Sequence, residues 1–269
     1  MESGDGGKGR FEDAADRFVE RRDAALDAAA ENFATAKAAA GERVADAREA
    51  AADAIARVKP RMRGVSHEWA FFASLGFGAL LVVVADGPKA TAAAAIYAAS
   101  LSALFGVSAL YHRVDWKRPE ARRRMRRLDH TMIFFLIAGT VTPFALLVVD
   151  PPLSTALLIA VWGGALAGTI VELVWTDSPK WVSAIVYIGV GLIGAAGFPA
   201  IIIETGMVAG ILIGLGGALY ATGAIVYAAQ RPDPSPSVFG YHEIFHVLVI
   251  AAAAAHFAAV ALYALPAGS

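Results

Sequence analysis

The 269-residue chain contains no cysteine. That excludes disulfides, thiolate metal sites and a cysteine nucleophile, so any transition-metal site has to be built from His, Asp and Glu. Charge is the second thing in short supply. Beyond Asp129 the chain is nearly uncharged, whereas the N-terminal part up to Lys59 densely interleaves Arg, Lys, Asp and Glu. A formal net charge of -1 hides this asymmetry, which is the main organisational feature of the chain. Residues 1–59 also lack an apolar run resembling a cleavable leader, so the first hydrophobic span is expected to act as the insertion signal.

Apolar residues are what the chain has in excess. They make up 57% of it, with a mean hydropathy of +0.56. Soluble domains run at about 45–50% apolar, and one water-soluble core cannot hide the difference. Lipid is the expected solvent. A bilayer core needs about 20 apolar residues per helix. Seven spans meet that need, at residues 68–85, 90–111, 128–149, 153–175, 182–199, 207–228 and 240–265. Breakers separate them: Asp86-Gly87-Pro88, Asp150-Pro151-Pro152, Ser178-Pro179 and Arg231-Pro232-Asp233-Pro234. The fifth is the weakest, diluted by Gly189, Gly191, Gly194 and Gly197.

The expected fold is therefore all-α: a seven-transmembrane-helix bundle over residues 64–269, behind a charged, Ala-rich extension at residues 1–63. The Gly-rich first nine residues are expected to be disordered. Phe11, Phe18, Leu26, Phe33, Val44, Ile55 and Val58 are sparse enough to form one thin helical stripe. This is the pattern of a soluble or membrane-surface helix, interrupted near Gly41, with a partner helix as one option and a fully solvated face as the other.

Basic residues set the expected orientation. The connection between the second and third spans holds Arg113, Lys117, Arg118, Arg122, Arg123, Arg124, Arg126 and Arg127. Lys59, Arg61, Arg63, Lys180 and Arg231 fall at the same end, and only Lys89 falls at the other. Cytoplasmic loops carry the excess of Lys and Arg. The chain is thus expected to be a multi-pass protein of the plasma membrane, with its N-terminus cytoplasmic and its C-terminus outside. The arginine run at residues 122–127 has the composition of a nucleic-acid patch. Beside a membrane span it points instead to topology setting and to anionic lipid headgroups, so no nucleic-acid partner is expected.

On that topology five of the six histidines gather at one end: His67, His112, His130, His242 and His246. His256 lies ten residues beyond His246, about 15 Å deeper at 1.5 Å rise per residue. His242 and His246 are four apart and share a helix face, an arrangement that can grip one metal ion. Ser108 and His112 repeat the spacing on the second span, and Asp129 opens the third. A serine, a carboxylate and three histidines can converge there. Three histidines with one open position is the arrangement of catalytic zinc. Zinc lowers the pKa of a bound water to about 7. Asp129 is then placed to orient that water or take its proton, and Ser108 to hold a carbonyl or a water.

These stretches are similar to a known family. Ser108-Ala-Leu-Tyr-His112, Arg127-Leu-Asp129-His130, Ile137-Ala-Gly-Thr-Val-Thr-Pro143-Phe and Phe239-Gly-Tyr-His242-Glu-Ile-Phe-His246, with His256 downstream, resemble the haemolysin III family. That family belongs with the progestin and adiponectin receptors, in a wider group that includes alkaline ceramidases. The resemblance covers residues 64–265. It implies a seven-helix bundle with a cytoplasmic N-terminus and zinc held by His112, His242 and His246, with Asp129 and Ser108 beside it. It also implies hydrolysis of a lipid amide, the ceramidase reaction. Two departures stand out. Val141 replaces a common tyrosine, and the charged extension has no counterpart.

Each remaining polar group has a plainer expected role. His67 follows Ser66 at a helix start and reads as part of a cap. His130 reads as a supporting or interface residue, and His256 as a hydrogen bond to a neighbouring helix. Glu172 is expected to pair with an arginine of the basic connection or to reach the headgroups. Glu243 faces about 100° away from His242. Gly163, Gly164 and Gly168 suggest close helix packing, since no strand precedes them to make a phosphate loop.

The leading functional expectation is a zinc-dependent membrane hydrolase acting on a lipid amide or ester, with membrane lipid as its substrate. The alternatives are a ligand-sensing receptor-like protein with structural zinc, and a haemolysin-type lysing protein. The lack of a leader and of a water-soluble form argues against a secreted toxin.

Overall fold

A computed structural model describes residues 60–175 and 180–268, together with isolated positions between residues 31 and 41. Contacts divide the chain into two units, Met1–Val58 and Lys59–Ser269. In the first, Glu31, Phe33, Thr35, Lys37, Ala40 and Gly41 are helical and exposed. The other expectations for the extension, and the Ser178-Pro179 break, lie outside the described residues.

The second unit is helical almost throughout. Its elements are α1 (Val65–Val84), α2 (Gly87–Arg113), α3 (Pro119–Leu147), α4 (Leu153–Val174), α5 (Lys180–Ala195), α6 (Phe198–Thr205), α7 (Met207–Ala229) and α8 (Tyr241–Ala259). A π-helical turn and a short last helix carry α8 on to Ala267. Six of the helices are long and apolar enough to cross a membrane. α5 and α6 meet at 45° across Ala196-Gly197 and together are apolar enough for a seventh, broken span or a re-entrant loop. The glycine-diluted fifth span thus ends its first helix early and runs on past residue 199, to Thr205. Pro199 sits in the first turn of α6, where its missing N–H costs nothing. The protein is a multi-pass, all-α membrane protein.

The basic stretch at residues 122–127 is not a loop. Only residues 114–118 link α2 to α3, and the arginines occupy the first turns of α3. Pro119 at the helix start, Glu120 in the first turn and the good helix propensity of Arg explain why helix extends this far. α3 therefore carries a basic section and an apolar section on one continuous 29-residue helix.

Lipid as solvent inverts the usual burial pattern. The outward face of α1 is apolar and exposed, with Val83 at 80%, while His67, Ser74, Gly78 and Leu81 face inward. Helices gain little hydrophobic energy from one another in lipid, so small residues and close packing hold them together. A side chain at Gly168 would meet the buried ring of Phe134, one at Gly78 would meet Ala98, and one at Gly139 would meet Ser100. In sequence order α1 packs on α2, α2 on α3, α3 on α4, α4 on α5, α5 on α7, and α7 on α8. α8 returns to α1, so the ring closes and the first and last spans become neighbours.

Candidate metal centre

Ring closure brings two distant sequence segments, the end of α2 and the start of α8, together at the basic end of the bundle. One ring nitrogen from each of His112, His242 and His246 lies within 4.8 Å of the others. His112 Nε2 and His242 Nε2 are 3.1 Å apart. His246 is 1% exposed, and its Nδ1 has no hydrogen-bond partner. The three residues present fit a zinc ion. Zinc–nitrogen bonds of about 2.0–2.1 Å in tetrahedral geometry place ligand nitrogens about 3.3 Å apart. Neutral imidazoles are the borderline donors that zinc prefers. Among the described residues no fourth His, Asp or Glu joins the group, which leaves it three-membered.

Asp129 stands against this cluster, its Oδ2 3.6 Å from His112 Nε2. Ser108, buried on α2, hydrogen bonds to Asp129. Ser108 Oγ also lies 2.9 Å from His67 Nδ1. A hydroxyl has one hydrogen, so the Ser108 O–H donates to Asp129 and its oxygen accepts from the His67 N–H. His67 is thus not a cap residue. Gly64 precedes the helix, and the His67 ring is buried, stacked on His246 at 3.7 Å and 7°. Its sequence neighbours gave no sign of this, because the contact depends on α1 meeting α8.

Glu243 stays outside the histidine group, as expected, but has a role of its own, and Glu172 differs from expectation. Glu243 is buried and closes the N-terminus of its own helix, accepting from the Gly240 N–H at 2.8 Å. Its other oxygen meets Arg63 Nε at 2.5 Å. Position three of the helix was the readable signal, since a glutamate there can reach back to the N-cap N–H, the half of a capping box that glycine at the N-cap allows. The segment before α1 is tied to the same place. The Arg61 and Met62 N–H groups donate to the Ser237 and Val238 carbonyls, both at 3.1 Å. Gly64, at φ 78°, comes so close to His112 that a side chain there would strike its Cβ. Glu172 pairs with no arginine that the structure describes. Its Oε1 accepts from Ser183 at 2.9 Å and Tyr187 at 3.1 Å, and lies 3.4 Å from His130 Nδ1. Tyr227 stands between this group and the histidine cluster, its ring 6.3 Å from His130 and 5.7 Å from His242. His256 behaves as expected, donating from Nε2 to the Ile213 carbonyl at 3.1 Å.

Arg63→Ala should destabilise the bundle by about 2–3 kcal/mol. It strands the buried Glu243 carboxylate, and breaking a fully buried pair costs about 3–5 kcal/mol. The 24% exposure of Arg63 lowers that figure. A thermal midpoint in detergent equal to that of wild type would show that Glu243 does not depend on Arg63.

A cavity of about 400 Å³ begins one helical turn from the cluster. Leu104 on α2, Ile133 on α3 and Val249 on α8 line it, and they lie three or four residues from Ser108, Asp129 and His246. It continues past Val141 toward Phe198 and Ile201 near the broken span. Apolar side chains form nearly all of its wall.

Comparison with known proteins identifies the family. Residues 55–257 match the family model described as haemolysin-III related. The chain belongs to the haemolysin III family. It is 32% identical to Hemolysin-3 of Bacillus cereus over 203 residues, which is 73% of this chain and 89% of that one. The Hemolysin-3 homolog of Bacillus subtilis (strain 168) is 29% identical over 168 residues, 62% of this chain and 75% of its own. The human monocyte to macrophage differentiation factor is 27% identical over 203 residues, 74% and 81% of the two chains. The family lies within the progestin and adiponectin receptor-like superfamily. The match takes in every residue of the histidine cluster and stops just past His256.

Proposed function

We propose that this haemolysin III family member is a zinc-dependent membrane hydrolase acting on a lipid amide or ester, in the manner of a ceramidase. The observation that carries the reading is the three-histidine group with a carboxylate beside it and an apolar cavity one helical turn away. His112, His242 and His246 would hold the zinc. When bound, zinc supplies a Lewis acid and a water that is nucleophilic near neutral pH. Asp129 accepts the proton of the attacking water and returns it to the leaving group. Ser108, fixed by His67, donates to Asp129 and holds its carboxylate in one orientation. The apolar cavity takes the acyl chain and keeps bulk water from the carbonyl.

The setting proposed for this chemistry is the plasma membrane, with the N-terminus cytoplasmic, the C-terminus outside and the cluster at the cytoplasmic face. The asymmetry of Lys and Arg supports that orientation. Residues 122–127 would contact anionic headgroups, and their place on α3, directly before its apolar section, supports this. The charged extension, expected over residues 1–63 and set apart by contacts only as far as Val58, would be a separate domain that docks a partner helix.

The test is turnover by purified protein in lipid nanodiscs on a panel of lipid amides and esters, with and without a chelator. Fatty acid release that the chelator stops and added zinc restores is the expected result. A protein holding one zinc per chain that releases nothing from any lipid is instead a ligand sensor with structural zinc. Leakage of dye from liposomes, unaffected by loss of the histidines, points to membrane lysis.

A further inference from the structure

Far from the histidine cluster, the cavity wall changes character. His256 and Tyr220 both line it, with their rings 5.5 Å apart. His256 is fixed in one tautomer, because its Nε2–H donates to the Ile213 carbonyl. Its Nδ1 therefore carries a lone pair, and that atom is buried with no hydrogen-bond partner. The Tyr220 hydroxyl is also buried without a partner. Gly216 packs directly against the His256 ring, which prevents the ring from swinging toward α7.

Buried polar atoms are nearly always hydrogen-bonded, and leaving one unpaired is costly in an apolar medium. Lipid on the outside offers no remedy. An acceptor and a donor therefore sit together in a cavity whose wall is almost wholly apolar, about 15 Å along α8 from His246 at 1.5 Å per residue. The natural complement is an oxygen that both accepts and donates.

We infer that this end of the cavity is a subsite for a hydroxyl oxygen carried on the ligand's hydrocarbon chain, so that the protein selects hydroxylated chains over plain ones. A hydroxyl there donates to His256 Nδ1 and accepts from Tyr220. With carbon–carbon bonds of about 1.5 Å, an extended chain advances roughly 1.25 Å per carbon, so an oxygen on carbon twelve lies about 14 Å from the head. This matches the separation between His256 and the cluster. The inference takes its ligand class from the proposed lipid-binding role of the cavity and is independent of any turnover.

The experiment compares binding of 12-hydroxystearate and stearate to the purified full-length protein in nanodiscs, by native mass spectrometry. Wild type is expected to favour the hydroxylated chain by about tenfold, the usual worth of a neutral hydrogen bond in a closed site. Tyr220→Phe removes one oxygen and keeps the ring, and His256→Phe removes the acceptor. Each is expected to abolish the preference while leaving stearate binding within about twofold. Should His256→Phe fail to fold, Tyr220→Phe still decides the matter. The same preference in the His242→Ala/His246→Ala protein shows that the subsite does not depend on the metal, so failure of the hydrolase reading leaves it standing. Equal binding of the two chains by wild type overturns the inference, as does a preference that survives both substitutions.

Discussion

His242→Ala/His246→Ala should empty the metal centre. Wild-type protein purified in detergent is expected to carry about one zinc per chain by elemental analysis, and the double variant essentially none. The two residues stack on one face of α8, and their removal leaves a single imidazole, His112, at the cluster. The loss should also register as stability. A ligand that binds only the folded state at about 1,000 times its Kd stabilises by about 4 kcal/mol. For a chain of this size, that corresponds to a fall in thermal midpoint on the order of 10 °C. A chelator should lower the wild-type midpoint by the same amount and leave the double variant unmoved. Equal metal content in the two proteins would show that the cluster is a packing feature and would remove the basis for the hydrolase reading.

Asp129→Asn should separate chemistry from metal binding. Asparagine keeps the size of the side chain and an oxygen that can accept from Ser108, but it cannot take a proton. Loss of a positioned general base costs about 10²–10⁴-fold in rate. Turnover on the best lipid amide or ester should fall by that factor, with zinc content and thermal midpoint close to wild type. Ser108→Ala leaves the carboxylate in place without its fixed donor, and should lose on the order of tenfold, in line with one neutral hydrogen bond. Zinc lost from Asp129→Asn would instead make the carboxylate a ligand, and unchanged turnover would exclude it as the base.

Much of the bundle was legible in the residues. Six spans fell close to their observed positions because hydrophobic length is a property of each segment and its solvent. The gathering of His112, His242 and His246 followed from alternating topology, which places the ends of separate helices on one face without any knowledge of packing. The break between α5 and α6 was only half visible, since four glycines signalled a weak span but not where it would bend. The basic residues at 122–127 looked like a connection because charge ends a membrane span, yet charge does not end a helix, and α3 continues through them. Glu243 does stay out of the histidine group, but its capping role went unread because a helical wheel says where a side chain points along the helix face, not that the first turn has free N–H groups to satisfy.

The sequence by itself determined the solvent, the position of six of the spans and the chemical inventory at the basic end, because those depend on composition, period and the cost of charge in lipid. Only the tertiary structure decided the partners. Closing the ring between α1 and α8 puts His67 on His246 and against Ser108, 41 residues away, and joins Arg63 to Glu243 across 180 residues. Packing α3, α4 and α5 together gives Glu172 to His130, Ser183 and Tyr187 rather than to an arginine. Those contacts, and the cavity between the helices, arise from how separate elements fill shared space, and no local pattern encodes that.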